Sequence, residues 1–209
     1  MKRLCAALVA ASFAAGISHA GTVSATFDSG TEGFTLTGGI LSFDPAGGNP
    51  GGGIIATDNQ NSEMMLTLPS QFIVPLQLGD SLSFDAREAA NPDSNFGGFG
   101  ELTIQGAGLT ATLDLLAGDL TSDWTSFTAD FTDSLWNVSG GTLAQLLGGL
   151  TSITLNVESG SQVSEVVALD NFVLNAAGID NPIPVPGAAF LFAPIAGFFA
   201  ARQARHRNA

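Results

Sequence analysis

From residue 21 to about residue 178, short runs of apolar and hydroxyl residues alternate with clusters of Gly, Asn, Asp and Pro. The runs are VSATF, GFTLTG, ILSF, GIIAT, MMLTL, SLSFDA, ELTIQ, LTATLDL, TSFTADF, SITLNV and NFVL, rich in the β-branched and aromatic residues that suit a half-buried pleated surface. Several alternate with period two: Leu82, Phe84 and Ala86 fall on one face, as do Ile153, Leu155 and Val157. Closely spaced strands divided by turn residues predict a mainly β fold, an antiparallel sandwich. One segment changes period. Leu143, Leu146, Leu147 and Leu150 recur at helical spacing, with Thr142 placed to cap the start and Gly148-Gly149 to end it, which predicts one short packing helix.

The two ends follow other rules. Residues 1–20 open with Lys2 and Arg3, stay apolar from Leu4 to Ala15, and close with the small residues Ser18 and Ala20. This tripartite pattern predicts a secretory signal helix cleaved between Ala20 and Gly21. Residues 179–209 carry seventeen uncharged residues from Val185 to Ala201, at the lower limit for a transmembrane helix, with Pro194 set to kink it. Arg202, Arg205 and Arg207 follow at once and read as a membrane stop that keeps this end in the cytoplasm. Residues 21–178 are then one sandwich domain between two addressing segments.

Charge divides along the same lines. All nineteen carboxylates lie between Asp28 and Asp180, where Arg87 is the one fixed cation. Such a surface repels phosphate backbones, which argues against nucleic acid as a partner. Between Gly21 and Asp180 there is no His, Cys, Tyr or Lys. That removes most routes to an activated nucleophile and the usual zinc ligands. Carboxylates, amides and hydroxyls remain, a set that suits a hard cation such as calcium, or sugar hydroxyls. Two alternatives to a binding domain stay open: a carboxylate-dependent glycoside-active enzyme, and a ligand-free structural spacer.

Ile183-Pro184-Val185-Pro186, a Gly-Ala-Ala step, the apolar stretch and the terminal arginines together resemble the C-terminal sorting signal of the PEP-CTERM class in its Val-Pro-x-Pro variant, without the glutamate of the name. The resemblance implies a Gram-negative bacterial protein, tethered in the inner membrane by its tail and processed by an exosortase-like enzyme. Its destination would be the cell surface or the extracellular matrix, in association with exopolysaccharide or biofilm.

Within the domain, GGNPGGGIIATD, LGDSLSFDAR, DWTSFTADFTDSLW, LAQLLGGLTSITLNVE and LDNFVL occur in an order similar to that of the laminin B domain, also called laminin domain IV. That likeness implies a jelly-roll sandwich of the galactose-binding-like kind found in carbohydrate-binding modules, and a non-catalytic role binding polysaccharide or another matrix component. It also implies a calcium ion between the first and last strands, with Asp28 and Asp170 in the two main places and Asp58 as a weaker third. Carbonyls of the glycine-rich loop at 47–53 would complete the shell. Bonding of turn amides by the same aspartates is the competing reading. Trp124 and Trp136 either form a sugar-stacking platform or pack in the core. Arg87 either clamps an acidic sugar or pairs with Asp85 or Glu88.

Overall fold

The computed structural model describes residues 21–60, 62–90, 98–116, 119–160 and 165–176, which build two six-stranded antiparallel sheets. Sheet I runs β3 (Gly39–Asp44), β4 (Gly53–Asp58), β12 (Val166–Ala176), β6 (Ser81–Ala90) and β9 (Thr125–Asp130), with β1 (Gly21–Ala25) also paired to β12. Sheet II runs β10 (Asn137–Ser139), β8 (Leu109–Asp114), β7 (Glu101–Gly106), β11 (Leu150–Asn156), β5 (Met65–Thr67) and β2 (Thr35–Thr37). The predicted antiparallel sandwich is therefore the observed fold.

The alternating residues do what their period demands. Leu82, Phe84 and Ala86 of β6 and Ile153 and Leu155 of β11 are all buried, and so is Val157 beyond the strand. Between the sheets, phenylalanines form a continuous chain of ring contacts. Phe172 meets Phe34 at 4.8 Å and stacks on Phe84 at 5.1 Å, Phe84 stacks on Phe127, and Phe127 meets Phe99. Each such pair adds about 0.5–1.5 kcal/mol beyond the area it buries. Helix α1 (Leu143–Gly148) forms where predicted and buries Leu143, Leu146 and Leu147. Thr142 and Gln145 close a reciprocal capping box, each side chain accepting from the other's backbone amide.

Three features differ from the pattern along the chain. Strand β10 is three residues long, too short to show a period. Strand β6 continues past Ala86 through Arg87 and Glu88, and β12 starts at Val166, well before the expected NFVL. The latter two extensions come from pairing: Val167 lies opposite Glu88 on one side, while Val166 lies opposite Thr57 on the other. Ladder hydrogen bonds hold these segments extended whatever their local propensity.

Halfway along, β12 carries a bulge. Asp170 pairs with Asp85 and Val173 with Ser83, so Asn171 and Phe172 together face Phe84. Asn171 takes the left-handed conformation, φ 55°. The extra residue returns Phe172 to the core and leaves Asp170 on the outer face of sheet I. It also marks where β12 changes neighbours, from β4 over Val166–Leu169 to β1 over Phe172–Ala176.

Gly21 pairs with Ala176. The predicted signal helix, Ala20, the Ile183, Pro184, Val185 and Pro186 motif and Arg202, Arg205 and Arg207 lie outside the described residues. Among the described residues no helix is long and apolar enough to cross a membrane.

Candidate functional site

Two acidic centres sit toward opposite ends of the β4–β12 ladder. The first lies on the outer face of sheet I, where the bulge meets the loop between β3 and β4. Asp170 is fully buried there, and both its oxygens accept amides: Asn49 N–H at 2.6 Å and Asn171 N–H at 2.7 Å. Asp85, opposite it, accepts from Ser126 Oγ at 2.5 Å, Asn171 Nδ2 at 2.9 Å and Asn49 Nδ2 at 3.1 Å. The glycines let the loop come this close. A Cβ on Gly48 would lie 2.0 Å from the Gly52 carbonyl oxygen and 2.6 Å from Asp170 Oδ2, and one on Gly52 would lie 2.1 Å from the Phe27 carbonyl oxygen.

Burial raises the pKa of Asp170 against the pull of those two amides, and the charges of Asp85 and Asp28 raise it further. Asp28 is exposed and accepts from Thr26 Oγ1 at 3.3 Å. Asp170 bonds turn amides, as the competing reading expects. The Gly52 carbonyl oxygen and Asp170 Oδ2 both lie beside Gly48, and carboxylate and carbonyl oxygens are the donor class that calcium takes.

Asp58 is elsewhere. It is buried at the far end of β4, on the inner face of sheet I, with Glu158 and Glu165, and carboxylate oxygens of the three lie within 4.8 Å of one another. Glu88, on the inward face of the β6 extension, is buried near enough for the charge of Glu165 to act on it. Hydrogen bonds to these acids are few. Asp58 accepts Gln60 N–H, Glu158 accepts Met64 N–H and Glu165 Oε1 accepts Ser159 N–H. Among the described residues neither oxygen of Glu88 has a partner, nor does Glu165 Oε2 or Ser159 Oγ.

Burial pushes the Glu158 carboxyl up to about 7 despite the Met64 amide, helped by the charges of Glu165 and Asp58. Glu165 is raised by burial and by Asp58, with the Gly160 and Ser159 amides working the other way. Glu88 is raised by burial and by Glu165. The Ser159 hydroxyl and Val166 amide favour its charge by proximity, but neither reaches it with hydrogen-bonding geometry.

The outer face of sheet II is different in kind. Thr35, Thr67, Thr154, Thr103, Thr112 and Asn137 are successive cross-strand partners through all six strands. A parallel row joins Ser152, Gln105, Thr110 and Ser139. None of these residues is buried. At about 4.8 Å per strand the longer row spans about 24 Å. The sequence shows each of these residues, but only the register aligns them.

Trp136 is core, stacked on Phe131 with its indole N–H donating to the Asp130 carbonyl. Trp124 is half-buried, with the Arg87 guanidinium 5.2 Å from its ring centroid. Arg87 therefore stacks on an aromatic ring. The expected partners are engaged otherwise, Asp85 with Ser126 and the two asparagines, and Glu88 with no hydrogen-bond donor at all.

No family model matches the chain, and no curated protein matches it. Among solved structures, the L4b domain of human laminin alpha-2 is similar, with a TM-score of 0.56 and 13% identity over 74% of this chain and 97% of that one. The N-terminal CBM22-1–CBM22-2 tandem domain of Xyn10C from Paenibacillus barcinonensis matches with a TM-score of 0.53 and 17% identity, covering 82% of this chain and 50% of that one. An exo-beta-agarase gives 0.51 at 16% identity, over 72% and 25% of the two chains. At such identities the likeness is one of fold. The chain has a laminin-like β-sandwich of the kind also found in carbohydrate-binding modules.

Proposed function

We propose that the chain is a non-catalytic exported β-sandwich that binds polysaccharide through the outer face of sheet II. The observation that carries this reading is the hydroxyl and amide row from Thr35 to Asn137, an uncharged line of hydrogen-bonding groups wide enough to meet several sugar units. The similarity in fold to carbohydrate-binding modules supports it. So does the burial of the clustered acids, since no glycosidic bond reaches between Asp58, Glu158 and Glu165.

In the same reading the ends of the chain are addresses. The signal helix is cut between Ala20 and Gly21. The Ile183, Pro184, Val185 and Pro186 motif and the arginine stop at Arg202, Arg205 and Arg207 make the protein an inner-membrane intermediate for an exosortase-like enzyme, on its way to the surface or matrix of a Gram-negative bacterium. Calcium binds between Asp28 and Asp170, with the Gly52 carbonyl oxygen beside Asp170 Oδ2 as a further donor.

Affinity electrophoresis of the protein through gels cast with neutral and acidic polysaccharides tests the binding face. Thr103→Val, Thr112→Val and Thr154→Val combined keep the shape and remove three hydroxyls. Retardation by at least one polysaccharide is expected, weakened at least tenfold in the triple variant. Retention unchanged in that variant, or none with any polysaccharide, removes sheet II as the binding face.

A further inference from the structure

The second acidic centre has a composition that a folded protein does not ordinarily tolerate. Glu88 is 2% exposed and Glu165 1%, yet among the described residues three of their four carboxylate oxygens accept no hydrogen bond, and Ser159 Oγ beside them is also without a partner. Buried carboxylates are stable when paired with a cation or met by donors. The one fixed cation of the domain, Arg87, points away on the outer face of sheet I toward Trp124. Glu165 shares one cluster with Asp58 and Glu158, carboxylate oxygens of the three lying within 4.8 Å of one another, and Glu88 and Ser159 border it.

We infer that Asp58, Glu88, Glu158 and Glu165, with the Ser159 hydroxyl, form a second divalent-cation site that takes calcium, separate from Asp28 and Asp170. Its ligands come from the end of β4, the end of β6, the segment after β11 and the residue before β12. All are oxygens, which selects a hard cation over zinc or copper. Three oxygens within 4.8 Å of one another have a common centre no more than about 2.8 Å from each, which leaves room for the 2.3–2.6 Å bonds of calcium. The oxygens left over supply the higher ligand number that calcium prefers. The position is also distinct. Asp58 and Glu165 lie about five residues along their strands from the Gly53 and Asp170 end, roughly 16 Å at strand rise.

Calcium binding to the full chain in detergent is measured by isothermal titration, alongside the melting temperature in calcium and in chelator. Wild type gains calcium and melts about 5–10 °C higher at a free concentration one hundred times the dissociation constant. Glu165→Gln and Glu88→Gln each lose one equivalent, while Asp170→Asn keeps it. In chelator both Gln variants melt no lower than wild type, because each removes an uncompensated buried charge. This establishes that they fold, and if Glu165→Gln does not, Glu88→Gln gives the same reading. Calcium uptake unchanged in the Gln variants overturns the inference, as does absence of calcium binding in wild type. Loss of an equivalent in Asp170→Asn alone counts for the Asp28 and Asp170 site and against this one.

Discussion

The two ends of the β4–β12 ladder solve the same problem in opposite ways. At the bulge, Asp85 and Asp170 stand side by side on paired strands, a repulsive arrangement, and the loop at 45–52 folds down to supply amide donors from Asn49 while Asn171 supplies two more. At the other end, among the described residues, Asp58 and Glu158 each accept one amide, the Gly160 and Ser159 amides act on Glu165, and Glu88 accepts none. The difference teaches that carboxylate count alone does not define a cation site. Donors delivered by a glycine-rich turn can hold a buried acid beside a half-buried one, and what marks the second centre is acceptors that no described donor meets.

The contrast is broken most severely at Gly48. Ala at this position places a Cβ 2.0 Å from a backbone oxygen of Gly52, so the loop must lift from Asp170, at a cost of about 3 kcal/mol in urea unfolding. Gly51→Ala is the control. It meets nothing within 4 Å and carries only the left-handed strain of φ 95°, about 1–2 kcal/mol. Equal losses in the two variants would show that contact with Asp170 is unimportant.

Next in size is a pair of opposite signs. Asp170→Ala strands the Asn49 and Asn171 amides and destabilises by about 2–3 kcal/mol. Glu88→Leu, measured in chelator, replaces an unpartnered buried carboxylate and stabilises by about 1–2 kcal/mol. A loss of stability in the second variant would mean that Glu88 has donors at hand.

The pH profile sharpens the comparison further. Glu158 faces Asp58 on β4 and Glu165 before β12, and its carboxyl is raised from 4.5 to about 7. A carboxyl raised on folding binds its proton in the native state first, so its contribution is greatest below about pH 4.5 and is lost as pH rises through about 7. In chelator, wild type should lose several degrees of melting temperature across that window relative to Glu158→Gln. Parallel profiles for the two proteins would remove the effect. The smallest change is expected from Ser126→Ala, which deletes one donor to Asp85 from an exposed position and costs about 1 kcal/mol by thermal melt.

Much of the architecture was legible along the chain because it depends on period and local chemistry. Leu82, Phe84 and Ala86 alternate and are buried as a set, and Thr142 to Gly149 carries its own start and stop. The landmarks resembling laminin domain IV lead to the same sandwich. The candidate sites were legible only in part. The charge of Asp28 reaches Asp170, while Asp58, close to the glycine-rich loop in sequence, is carried by the length of β4 to the opposite end.

Glu88, Glu158 and Glu165 gave no signal of their own. They lie far apart in the chain, and each reads as one more acid in an acidic protein. The hydroxyl row on sheet II was hidden in the same way, since threonine in a strand is ordinary and its alignment through six strands is a property of register. The sequence by itself determined the strands, the helix and its cap, the inward faces and the absence of most nucleophilic side chains between Gly21 and Asp180. Tertiary structure alone decided which acids share a site and which hydroxyls share a line, because non-local pairing sets the distances between residues remote in sequence.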